Sequence, residues 1–112
     1  MVTELPNSLR SPLGPVKVLR VPAKELESTT EAGSTTRCYG DFCWHLRRIR
    51  ILDSLTGLVA WQVLYHEWAH MVLCDSGLAE ALDRRSEELI CDAIANARVV
   101  EHGGNARASV VA

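Results

Sequence analysis

The chain of 112 residues is 47% hydrophobic and 23% charged and contains four prolines, the length and composition of one small domain with a single core. A net charge of −2 leaves no broad basic surface, and the Arg47-Arg48-Ile49-Arg50 stretch is too short to make one, so nucleic acid is not an expected partner. A secretory signal and a membrane span are equally unexpected: residues 1–14 hold no apolar block behind a basic run, and Gln62, His66, Glu67 and His70 interrupt the longest apolar stretch.

Along the chain, residues 1–14 are expected to be a flexible leader, residues 15–104 the folded domain and residues 105–112 a flexible tail. Residues 16–21, Val-Lys-Val-Leu-Arg-Val, are β-branched, partly alternating and bounded by Pro15 and Pro22, which predicts an edge strand. Residues 23–37, rich in Ser, Thr and Glu and containing Gly33, read as loop. Within residues 43–52, Arg48 and Arg50 alternate with Ile49 and Ile51, the pattern of a strand covered on one face. The two strands are expected to pair across the loop, with Arg47, Arg48 and Arg50 guarding an edge against association.

Residues 55–74 run without proline and are apolar almost all round, including Leu58, Trp61, Leu64, Trp68, Met71 and Leu73, which predicts a core helix. Asp53 or Ser54 would cap its start, and Gly77 would end it in a left-handed turn. After a polar connection over residues 75–85, a second helix is predicted from a Ser86 cap to about His102, where Gly103 and Gly104 stop it. Trp44, Trp61 and Trp68 are expected to fill the core. Cys38, Cys43, Cys74 and Cys91 form no CxxC pair and read as buried thiols, a cysteine-based zinc site being the weaker alternative.

Within the core helix stands His66-Glu67-Trp68-Ala69-His70. Residues four apart share a helix face, so His66 and His70 can aim two imidazoles at one ion, while Glu67 stands beside the position a water would take as its general base. Burying unpartnered polar groups in an apolar helix costs roughly 2–7 kcal/mol each, and a metal removes that cost. Catalytic zinc takes three protein ligands, so the second helix has to supply one. Glu88 is the best candidate, with Glu87, Asp75 and Asp92 as fallbacks. Asp92, one turn after Glu88, is placed to accept the free ring N–H of a ligating histidine and so fix its tautomer.

HEWAH followed by Glu88-x-x-x-Asp92 resembles the gluzincin metallopeptidases, and the short span from VLYHEWAH to EELICDAIA resembles ImmA/IrrE-type and phage-encoded metallopeptidase-like domains, over roughly residues 43 to 100. The resemblance implies one zinc per chain on His66, His70 and Glu88, with Glu67 as base and Asp92 in support. It also implies an edge strand along which an extended peptide lies. The expected fold is α+β, a minimal zincin-like domain whose small two- or three-stranded sheet packs on the buried HExxH helix, with a second helix supplying the third ligand. The expected function is zinc-dependent hydrolysis of a peptide or protein substrate in the cytoplasm, with oligomeric state left open. The alternative is a non-catalytic, zinc-stabilised binding or regulatory module. None of Tyr39, Tyr65, His45 and His102 has a spacing that marks it as an oxyanion donor.

Overall fold

In the computed structural model, residues 5–26, 28–29, 35–36 and 38–103 are described, and the alternating segments of the first half become strands. β1 (Ser8–Ser11) and β2 (Gly14–Val21) form an antiparallel hairpin. β3 (Ser28–Thr29) and β4 (Thr35–Thr36) make a small separate ladder. β5 (Gly40–Cys43) and β6 (Arg48–Leu52) form a further antiparallel hairpin. The first and last of these hairpins join through β2 and β6, which run parallel from Lys17↔Arg48 to Val21↔Leu52, giving a four-stranded mixed sheet in the order β1-β2-β6-β5. Successive strand residues point to opposite faces, so Val16, Val18, Ile49 and Ile51 all reach one face and are buried there.

Helix α1 (Gly57–Asp75) lies on that face, and α2 (Arg84–Gly103) packs on α1 from the other side. This middle position explains why α1 is apolar almost all round: Trp61, Leu64, Tyr65 and Met71 meet the sheet residues in one cluster that Ala95 and Val99 of α2 complete. A smaller cluster of Ala69, Leu73 and Cys91 closes the helix pair near its turn. Gly77 has the expected left-handed backbone, with φ +78°, and its N–H donates to the Cys74 carbonyl. The result is a small α+β domain of a four-stranded mixed sheet and two helices, and no described helix is long and apolar enough to cross a membrane.

Several expectations need correction. Residues 8–11 are not a leader but a strand: Leu9 packs on the core and Ser11 is buried. Pairing with β1 makes β2 an interior strand rather than an edge, and four strands replace the two or three expected. Residues 23–37 include a 3-10 turn at Ala23–Leu26 and the β3–β4 ladder, which the polar, turn-rich composition of the segment had concealed. The N-cap of α1 is Thr56, whose side chain makes no capping bond, and Asp83 rather than Ser86 caps α2, its carboxylate accepting the Ser86 N–H at 2.7 Å. Residues 1–4 and 104–112 lie outside the described residues.

The arginines and one tryptophan also take different roles. β6 lies between two strands, so its arginines guard no edge; Arg50 instead grips Asp41 of β5 in a two-pronged pair at 2.9 and 2.6 Å. Arg47 adopts φ +52° in the β5–β6 turn and reaches Asp75, the last residue of α1. Trp44 is 39% exposed rather than a core filler, and its indole N–H donates to Asp75 at 2.7 Å. Asp75 also accepts from Ser11 Oγ at 2.5 Å and from the Leu13 N–H at 3.1 Å, so one fully buried carboxylate ties both hairpin turns to the end of α1. Arg47 leads in holding its carboxyl well below the usual range, with Ser11, Trp44 and Leu13 adding to the effect.

Candidate metal centre

The short connection after α1 folds α2 back antiparallel, so the end of α1 faces the beginning of α2. The pairing runs regularly along the two helices: His70 meets Glu87 and Glu88, His66 meets Glu88 and Asp92, and Gln62 meets Asn96. Among the described residues, one group of His, Cys, Asp or Glu side chains has ligand atoms converging on one point, and it is His66, His70 and Glu88, all within 4.8 Å of one another. The two Nε2 atoms are 3.2 Å apart, Glu88 Oε1 lies 3.2 Å from His66 Nε2, and Glu88 Oε2 lies 2.9 Å from His70 Nε2.

These distances fit a small divalent cation. Zinc bonds of about 2.0–2.2 Å at tetrahedral angles separate neighbouring donors by roughly 3.3–3.6 Å, only a few tenths of an ångström beyond the spacing here. Two imidazoles and a carboxylate also form a donor set suited to zinc. The three residues expected as ligands are therefore the three that converge. Asp75, a fallback ligand, is committed to Arg47 at the C-terminal end of α1.

Each imidazole has its second nitrogen beside a carboxylate. His66 Nδ1 lies 2.7 Å from Asp92 Oδ1, the position expected of Asp92, although the contact is not aligned as a hydrogen bond. His70 Nδ1 lies 2.5 Å from Glu87 Oε2, and Glu87 is thus a brace on His70 rather than a substitute for Glu88. Glu87 and Glu88 differ by about 100° around the helix. A ring has nitrogens on two sides, however, so adjacent residues meet the same imidazole from different directions. Phe42 of β5 stacks on the His70 ring at 4.9 Å and 9°, limiting its rotation. Nothing in the local sequence marked Phe42 for this contact, because β5 and α1 meet only in the tertiary fold.

His66, Glu67 and His70 open into a cleft of about 600 Å³ between β5 and the start of α2, walled by Cys38, Phe42 and Leu82 on its less polar side. A smaller cavity of about 170 Å³, bounded by Tyr39, Gln62 and Val63, adjoins the same His66 and Glu67. β5 approaches α1 closely there: a Cβ on Gly40 would sit 2.8 Å from Val63 Cγ1 and 3.0 Å from the Arg50 carbonyl oxygen. Burial pushes the Glu67 carboxyl up to about 8, with the negative charges of Asp41 and Glu88 adding to the rise. A cation held by His66, His70 and Glu88 would oppose that rise and favour the charged carboxylate.

A second polar group lies near the other end of the helix pair. Tyr65 and His102 meet each other at 2.5 Å, and Arg98 lies over the Tyr65 and Trp68 rings at 4.7 and 4.8 Å. The four cysteines are free, but only Cys91 is fully buried, and burial pushes its thiol up to about 12. Cys38, Cys43 and Cys74 are only partly buried, which corrects the expectation of four buried thiols, and no cysteine joins the converging group. Comparison of the chain with protein-family models, with curated proteins and with solved structures gives no match.

Proposed function

We propose that the chain is a zinc-dependent peptide hydrolase of the zincin type, with His66, His70 and Glu88 holding the metal and Glu67 acting as general base. The observation that carries this reading is the convergence of two Nε2 atoms and one carboxylate within 3.2 Å contacts, with Glu67 opening into the same cleft. Zinc supplies Lewis acidity, polarising a carbonyl and making a water easier to deprotonate. Glu67 takes the proton from that water, and its partial burial keeps the carboxyl apart from bulk solvent. Glu87 braces His70 so that it presents Nε2, and Asp92 lies beside His66 Nδ1, so each Nδ1 faces a carboxylate.

β5 supports an extended substrate. It is an outer strand of the sheet, and the Leu52 N–H donates to the Tyr39 carbonyl across the β5–β6 pair. Antiparallel alternation then turns the backbone groups of Gly40 and Phe42 away from β6, toward the open edge. A peptide added to that edge would run beside Glu67, gaining main-chain hydrogen bonds without regard to its sequence.

The same braced geometry supports a second reading, in which zinc staples α1 to α2 and the protein binds a partner without cutting it. Glu67→Gln separates the two. The amide is nearly isosteric but cannot take up the water's proton, so it should keep zinc and lose cleavage of a peptide library that the unsubstituted protein cuts. Equal cleavage by both would remove Glu67 from the chemistry. Zinc binding with no cleavage by either would favour the staple.

A further inference from the structure

Arg84 is the first residue of α2 and lines the cleft. The other charged groups lining it are carboxylates, those of Asp41, Glu67, Glu87 and Glu88, so Arg84 is the sole arginine or lysine among the described cleft residues. Its position is not explained by helix stability, because a cation in the first turn opposes the helix dipole. Nor is it explained by pairing. Asp41 is taken by Arg50, Glu87 by His70, and Glu88 by both histidines, and the exposed Arg84 guanidinium makes no hydrogen bond or ion pair with the described residues.

Arg84 and Glu88 are four residues apart and so share one face of α2, a single turn from each other. That turn measures about 5.4 Å, between one and two residue lengths of an extended peptide. A guanidinium presents a planar fork that matches a carboxylate, and Phe42 and Leu82 line the same cleft. Resting on the zinc reading above, we infer that Arg84 is the specificity-determining residue of the cleft, holding a substrate carboxylate one residue from the scissile bond. The carboxylate is either the C-terminus of a peptide or an acidic side chain.

The test needs no known substrate. Malonyl hydroxamates of leucine, of leucinamide and of aspartic acid α-amide place a metal-binding group one residue from a terminal carboxylate, from no carboxylate and from a side-chain carboxylate, and their binding to the zinc-loaded chain is measured by calorimetry. At least one carboxylate probe should bind about tenfold or more tighter than the leucinamide probe, as expected of a charge-assisted pair, and which one does so identifies the source. Arg84→Gln should erase the preference while leaving leucinamide binding and zinc content unchanged; Arg84→Lys should keep part of it, and Arg84→Glu should reverse it. Equal binding of all three probes, or a preference that survives Arg84→Gln, overturns the role of Arg84 and leaves the zinc site standing. A chain that takes up no zinc overturns both, and one that takes up zinc but binds none of the hydroxamates overturns the role of Arg84 together with the hydrolase reading.

Discussion

Glu87 Oε2 lies 2.5 Å from His70 Nδ1, on the side of the ring opposite the nitrogen that faces His66 and Glu88. A carboxylate there fixes the imidazole with its proton on Nδ1 and its lone pair on Nε2, and it raises the basicity of the ligand. Replacing Glu87 by Leu should therefore weaken zinc binding by about 10–100-fold without removing a ligand. Glu87→Gln should fall between, since its amide oxygen still accepts the ring N–H. Competition against a chelator of known affinity measures this, and unchanged affinity in Glu87→Leu would show the contact to be incidental.

Zinc should stabilise the fold in proportion to its free concentration, by about 2.7 kcal/mol at a hundredfold excess over Kd. The histidines lie on α1 and Glu88 on α2, so this stabilisation acts on the helix pair. His66→Ala and His70→Ala should each abolish the zinc-dependent part of the melting temperature. A melting curve of the unsubstituted protein that is identical with zinc and with excess chelator would separate the site from the fold.

Asp75 predicts a loss of stability in acid. Its carboxyl is held below the ordinary range in the folded state, so the folded state binds its proton less readily than the unfolded chain does. The stabilisation is present above the unfolded value of about 3.9 and is lost as pH falls below it toward the folded value. Asp75→Asn should cost about 3 kcal/mol at neutral pH, because Arg47 is left without its counter-charge. The difference between the two proteins, read from urea denaturation at a series of pH values, should shrink below about pH 4. A difference that stays constant across the series would contradict the role given to Arg47.

Gly40→Ala should destabilise the domain by about 1–3 kcal/mol, because the new methyl group meets Val63 at 2.8 Å and the Arg50 carbonyl at 3.0 Å. Val63→Ala in the same chain should recover only part of the loss: it frees the contact with α1 but not the contact with backbone. Denaturation of the two single variants and the double variant tests this coupling. Simple additivity would mean that β5 and α1 do not press on each other at Gly40.

Several elements are legible from short-range chemistry along the chain. The valine and isoleucine alternations specify β2 and β6, the unbroken apolar run specifies α1, and the four-residue spacing of His66 and His70 places both rings on one helix face before any tertiary contact exists. Glu88 was legible as a partner of the two histidines because a returning antiparallel helix brings its first turns to them, and the three side chains do converge. The tertiary structure alone decided the rest. Ser8–Ser11 is too short and polar to announce a strand, and it becomes one because β2 offers it an edge and Asp75 a partner for Ser11. Glu87 bracing His70, Phe42 stacking on the same ring and Asp75 gathering two turns all join residues far apart in the chain. Periodicity reports which face of an element is buried but not which residue of another element meets it, and that pairing is set when the sheet, α1 and α2 pack together.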